Sequence, residues 1–200
     1  MASGKLILTV GHSNHEERRF LELLAAARIG LIADVRANPR SRYPQFNRSA
    51  FAASLEGAGV GYAHLGDQLG GRREPSASSA NTGWEEGPFR GYADHMGSAE
   101  FAAGLERIEE LATRTYTAAT KTAAGSPATN TAAGYTAVMC AEADWRHCHR
   151  RLIADVLLTR GWKVLHLDGN GLLENHELTE FARVDRGRVT YPERQTSLDL

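Results

Sequence analysis

Tyr135 to Arg160 reads YTAVMCAEADWRHCHRRLIADVLLTR, and the order of its parts decides the fold. Ala137 to Met139 is a short apolar run of the kind a buried strand makes, while Leu152, Ile153, Val156 and Leu157 recur at helical spacing. Between them lies a polar knot of Cys140, Glu142, Asp144, Arg146, His147, Cys148, His149 and Arg150. A strand that hands over to a helix through such a knot is where open α/β sheets hold ligands. The crevice lies beyond the carboxyl ends of the strands, and the helix N-terminus offers free amides to an anion.

Working outward, the same alternation recurs. Lys5 to Val10, Leu31 to Val35, Gly59 to Leu65 and Lys163 to Leu167 read as four more strands. Ser13 with Glu16 fits a capping box, after which Phe20, Leu23, Leu24 and Ala27 mark the inner face of a helix. Asn47 is expected to cap a second helix through Gly57, and a third is expected from about Ser98 to Ala112. The pattern predicts an α/β protein of one domain over residues 1–200, doubly wound, with a mainly parallel sheet of about five strands flanked by helices. Glu74 to Gly91 is loop by composition. Thr113 to Gly134 is almost all Thr, Ala and Gly and reads as a flexible surface insertion, since such a composition buries too little to offset its ordering entropy. His176 to Ala182 is expected as a short helix before a frayed tail.

Composition excludes some classes. Twenty-three basic against twenty-four acidic residues give a formal charge of -1, so no global field points to nucleic acid or to a membrane surface. No apolar stretch approaches the roughly 20 residues a membrane span needs. The N-terminus lacks the charged-then-apolar layout of a signal peptide, and a cytoplasmic protein with reduced thiols is the expectation. Oligomeric state is not legible.

The unusual polar residues fall at predicted strand ends. His12 and Ser13 follow the first strand, Asp34 and Arg36 end the second, and His64 and Gly66 the third. Cys140 and Glu142 end the fourth, and His166 the fifth. In a parallel sheet these ends share one edge, so a common pocket is expected. Cys140 is a candidate thiolate nucleophile if a helix N-terminus with His149 or Arg150 lowers its pKa; the plainer reading is a small hydrophobe finishing a strand. Cys140 and Arg146 also fit Cys-x5-Arg, but Glu142 and Asp144 inside that loop would repel a phosphate. Glu142 is a candidate general acid or base, or else an anchor for first-turn amides. His12 is the most pointed of the eight histidines and a candidate catalytic group beside Ser13. Ser13, Asp34 and Arg36 are candidate ligand contacts, with Asp34 and Arg36 alternatively a structural pair. Arg42 and Arg72, with Arg40 and Arg73, flank the presumed opening; Tyr43, Phe46 and Trp84 add the basic and aromatic texture that binds phosphates and stacks bases. His149 and Arg150 open the helix after the knot and are assigned to ligand contact.

Cys140, Cys148 and His149 lack the paired spacing of zinc sites, and a site assembled across strand ends from His12, Cys140 and His166 is conceivable but disfavoured by the same rule, so no metal is assigned. No Gly-x4-Gly-Lys and no Gly-x-Gly-x-x-Gly after the first strand occur, so no cofactor is assigned either.

Several stretches together resemble the family catalogued as domain of unknown function 488. They are TVGHSN (Thr9 to Asn14), DVRANPRSRYPQFN (Asp34 to Asn47), HLGDQLGGRR (His64 to Arg73), GYADHM (Gly91 to Met96) and MCAEADWRHCHR with a following G-x-x-V-x-H (Gly161 to His166). The resemblance spans nearly the whole chain in order; what it implies about activity is thin. Three functions stay open, of which the first is the expectation and the other two its alternatives. One is an enzyme acting on a phosphate-bearing or nucleotide-like substrate, nucleic acid included, through Cys140 or Glu142. The second is a non-catalytic module binding a nucleotide or nucleic acid. The third is a metal or redox protein using Cys140, Cys148 and histidines.

Overall fold

Residues 5–85, 87–123 and 134–193 are described by the computed structural model. The elements in chain order are β1 (Leu6–Gly11), α1 (Glu17–Ala26), β2 (Ile29–Asp34), α2 (Arg48–Gly57), β3 (Gly61–His64), α3 (Gly66–Leu69), α4 (Gly87–His95), α5 (Ala99–Ala123), β4 (Tyr135–Cys140), α6 (Arg150–Thr159), β5 (Lys163–Leu167), β6 (Leu173–Asn175), β7 (Arg183–Asp185) and β8 (Arg188–Thr190). Strands β3-β2-β4-β1-β5 are parallel neighbours in that order, and β6 adds an antiparallel edge to β5.

Period-two alternation sorts the strand side chains between two helical layers. Leu8, Val10, Ile32, Ala137 and Met139 pack against Phe20 and Leu24 of α1 and Phe51 and Leu55 of α2. Ile7, Ala33, Val138 and Cys140 face the other way, toward Phe89, Leu105, Ile108, Leu152 and Ile153 of α4, α5 and α6. The sheet is therefore doubly wound. Central β4 is covered on both faces, which is why Ala137 to Met139 is apolar at successive positions and why buried Thr136 is hydrogen-bonded to Thr115.

Several expectations change. The third helix runs on from Ala112 to Ala123, into the stretch read as a flexible insertion; Thr115 there is buried, its hydroxyl donating to the Leu111 carbonyl and accepting from Thr136. Residues 124–133, the rest of that stretch, lie outside the described residues. The end of the loop at Glu74 to Gly91 is the start of α4. Residues 176–182 are not helical: His176, Thr179 and Tyr191 are spent on Asp155 of α6, and the chain then turns through the β7–β8 hairpin. Residues 194–200, read as frayed, lie outside the described residues. The Ser13 capping box does not form: Ser13 takes φ 46°, and Glu16, with no side-chain cap bond, begins the helix. Asn47 does stand at the N-cap of α2, but its side-chain oxygen accepts from the Ser41 amide instead. No helix among the described residues is long and apolar enough to cross a membrane.

Candidate functional site

The ladder continues just past the strands and holds their ends together. His12 and Ser13 amides donate to the carbonyls of Cys140 (3.0 Å) and Ala141 (2.9 Å), Val35 to Met139 (2.9 Å), and Leu65 to Asp34 (2.8 Å). A cavity of about 350 Å³ opens beyond these ends, lined by Arg36, Arg40, Arg72, Tyr92, Cys140, Glu142, Cys148 and His149 among others.

Its floor is built by a reversal of the chain. After β4, Asp144 Oδ1 accepts from the Arg146 amide at 2.9 Å and caps a 3-10 turn at Trp145–His147, which returns Cys148 to the side of Cys140 before α6 begins. His149 Nε2 donates to the Val35 carbonyl at 3.2 Å, so in the neutral ring Nδ1 carries the lone pair. Nδ1 lies 3.9 Å from Cys140 Sγ and 3.7 Å from Cys148 Sγ. Gly71 leaves the space this ring occupies: a Cβ there would stand 3.0 Å from Nδ1.

The charge of the centre follows from Arg150, which is 1% exposed. Its guanidinium donates to Cys148 Sγ (Nε, 3.4 Å) and to the Glu142 carbonyl, and among the described residues it forms no ion pair with a carboxylate. A buried cation without a counter-charge is strongly unfavourable, and the Cys148 sulfur it touches is the group whose ionisation would supply one. Burial alone would raise the Cys148 pKa, but the hydrogen bond from Cys140, the charge of Arg150 and the adjoining His149 ring outweigh it and hold the thiol well below its ordinary value. Cys140 moves the other way: its hydrogen bond to Cys148 and its burial push it well up. Of the two cysteines, Cys140 therefore holds its proton the more tightly and Cys148 gives its proton up the more readily.

The other predicted residues divide into groups. Asp34, fully buried, grips Arg36 through both carboxylate oxygens (Nε to Oδ1 2.9 Å, NH2 to Oδ2 2.6 Å) and accepts from Tyr62 Oη; it is the structural partner in that pair. Arg36 also donates to the Phe46 carbonyl and to His12 Nε2 (3.1 Å), yet still lines the cavity. His12, stacked on Phe46, donates from Nδ1 to the Ser13 carbonyl; burial first and Arg36 second lower its pKa to about 4. It stands behind Arg36, outside the cavity lining, and with Ser13 and Arg42 borders a neighbouring depression that shares Glu142. Glu142 is exposed at the rim rather than desolvated in the floor. Arg150 lies under the floor, and Arg72 and Arg40 are exposed at the rim with no ion-pair partner among the described residues. Arg146 turns away to Asp144 and Glu174, so the Cys-x5-Arg spacing does not make a phosphate loop. Phe46 and Trp84 are core side chains, Trp84 stacked on Phe89, and offer no face to a base. Sequence spacing does not assign Cys148 to the catalytic or ligand-binding set: eight positions from Cys140 it fits no ligand spacing, and only the intervening turn brings it back.

Among the described residues one set of His, Cys, Asp and Glu atoms is grouped as a metal site would need. It is Cys140, Cys148 and His149, with ligand atoms within 4.8 Å of one another. His12 and His166 do not join it.

The family model described as domain of unknown function DUF488 matches residues 17–132 and 114–157. The chain belongs to this family. The second matched stretch carries Cys140, Cys148 and His149, so the DUF488 match reaches the floor of the cavity as well as the arginines of its rim. No curated protein and no solved structure matches the chain.

Proposed function

We propose that the cavity is the active site of an enzyme acting on a small phosphate-bearing or nucleotide-like substrate, with the Cys148 thiolate as its nucleophile. The observation that carries this reading is the pairing of opposite needs in one place. A thiolate kept ionised by Arg150 lies at the bottom, and two arginines with no carboxylate partner among the described residues, Arg40 and Arg72, stand at the mouth. Such a rim suits an anion, and such a floor suits covalent catalysis. Cys140 holds the proton next to the nucleophile, and His149 Nδ1 faces both sulfurs as a proton acceptor. Glu142 at the rim is within the lining and suits a hydroxyl or base-edge contact. Burial of Phe46 and Trp84 favours a small ligand over a stacked single strand.

The test is a screen of nucleotides and phosphorylated metabolites with metal-free, reduced protein. Turnover is expected to fall by about 100-fold or more in Cys148→Ser, and binding of the same ligand by about tenfold in Arg72→Ala. Wild-type turnover in Cys148→Ser would remove the thiolate from the mechanism. A non-catalytic binding module is favoured by one observation, the 2% exposure of Cys148; that reading predicts unchanged ligand affinity in Cys148→Ser and no turnover in any variant.

A further inference from the structure

The geometry points to a zinc site at the floor of the cavity, in which Cys140 Sγ, Cys148 Sγ and His149 Nδ1 bind one Zn²⁺ and leave its fourth position open to the cavity. Three observations carry it. The first is edge length. Metal bonds of about 2.3 Å to sulfur and about 2.1 Å to nitrogen, opened to a tetrahedral angle, set a sulfur and a nitrogen ligand about 3.6 Å apart. The two observed nitrogen-to-sulfur separations are 3.7 and 3.9 Å, and all three atoms lie within 4.8 Å of one another. Two sulfurs and one imidazole lone pair turned toward a common point are three electron donors with one thiol proton among them, and a cation between the three atoms satisfies all of them.

The second is the support around the ligands. A zinc-binding histidine ordinarily donates its other ring N–H to a carbonyl or carboxylate, which sets the tautomer and aims the ligating nitrogen. His149 Nε2 already donates to Val35 O, and Gly71 is without the Cβ that would crowd the ring. Arg150 Nε donates to the Cys148 sulfur from beneath, a contact that survives metal binding because a coordinated thiolate still accepts hydrogen bonds. The third is access. All three residues line the cavity, so three protein ligands and one open position face the solvent route a substrate would take. Soft thiolates with an imidazole select zinc over magnesium or calcium.

The site rests on the same centre as the proposed enzyme but not on its chemistry. A thiolate held by zinc is no longer a free nucleophile, so zinc and covalent chemistry at Cys148 exclude each other, and zinc is an inhibitor of that reaction.

The experiment is a zinc titration of the full chain, reduced and stripped of metal, against a chromophoric chelator, with Co²⁺ substitution as a spectroscopic readout. One equivalent bound is expected, with a thiolate-to-cobalt charge-transfer absorption. Affinity is expected to weaken by about 100-fold or more in Cys148→Ser and in His149→Ala, each confirmed folded by circular dichroism. No binding, or affinity unchanged in both folded variants, overturns the site; so does binding without the charge-transfer absorption, because the thiolates would not be ligands. The two readings fail separately. Stoichiometric zinc with no turnover of any substrate by the metal-free protein leaves the zinc site standing and removes the enzyme. Turnover that zinc does not inhibit removes the zinc site and keeps the enzyme.

Discussion

Cys148 and His12 show how one neighbour sets the chemistry of a side chain. Arg150 touches the sulfur of Cys148 and has no carboxylate to satisfy it among the described residues, so the deeper of the two thiols is the one whose pKa is lowered. Alkylation of reduced, metal-free protein with iodoacetamide near pH 7, followed by peptide mass mapping, is expected to label Cys148 before Cys140 despite its lower exposure; label on Cys140 first would reverse the assignment of the nucleophile. His12 accepts from Arg36 at Nε2, so a proton added there meets a guanidinium, with Arg150 also repelling it and Asp34 only partly offsetting both. Its folded pKa of about 4 lies below the ordinary 6.5. Between those values the unfolded chain takes up a proton that the folded one refuses, so stability is lost as pH falls through that window and is fully present above it. The contribution is at most about 3 kcal/mol. Urea unfolding at pH 7 and pH 4.5 is expected to show a larger loss in the wild type than in His12→Gln, and equal losses would show that His12 does not titrate in this way.

At the scale of elements, the site depends on how closely β1, β4 and the turn after β4 approach. Gly11 ends β1, and a Cβ there would stand 1.8 Å from the Glu142 carbonyl oxygen and 3.0 Å from an Arg150 nitrogen. Gly11→Ala must therefore push away the turn that carries Cys148. It is expected to cost about 3 kcal/mol in urea unfolding, the upper end for overpacking, and to slow Cys148 alkylation as Arg150 leaves the sulfur. An unchanged alkylation rate would separate the fold of this turn from the state of the thiol. These approaches explain what was legible beforehand. The apolar run Ala137 to Met139 of β4 and the alternation around it announced a central strand, and its polar end announced a site. The reversal over Trp145–His147 was not legible, because a 3-10 turn capped by Asp144 leaves no periodic signal.

Across the whole molecule, the C-terminal segment is fastened to the sheet through one buried carboxylate. Asp155 of α6 accepts from His176 Nε2 (2.9 Å), the Thr179 amide (2.9 Å) and Tyr191 Oη (2.7 Å), and His176 joins His166 of β5, whose ring stacks on Trp145 at 3.8 Å. Asp155→Ala leaves those donors without an acceptor and is expected to destabilise the protein by about 3 to 5 kcal/mol. Limited proteolysis should then cut first between residues 176 and 191; an unchanged midpoint and cleavage pattern would show that the segment is held by its apolar contacts, Phe181 and Tyr191 against Trp84, instead.

The sequence by itself determined the layers, the parallel strands and the clustering of polar residues at their carboxyl ends. Period and capping chemistry act over a few neighbouring residues, and a parallel sheet does the rest. Only the tertiary structure decided which of those residues meet. The pairing of Cys148 with Arg150, the withdrawal of Asp34 and His12 into support of Arg36, and the loss of Trp84 and Phe46 to the core depend on contacts between distant segments. A buried charge or ring is assigned its partner by the packing around it, and local sequence does not record that packing.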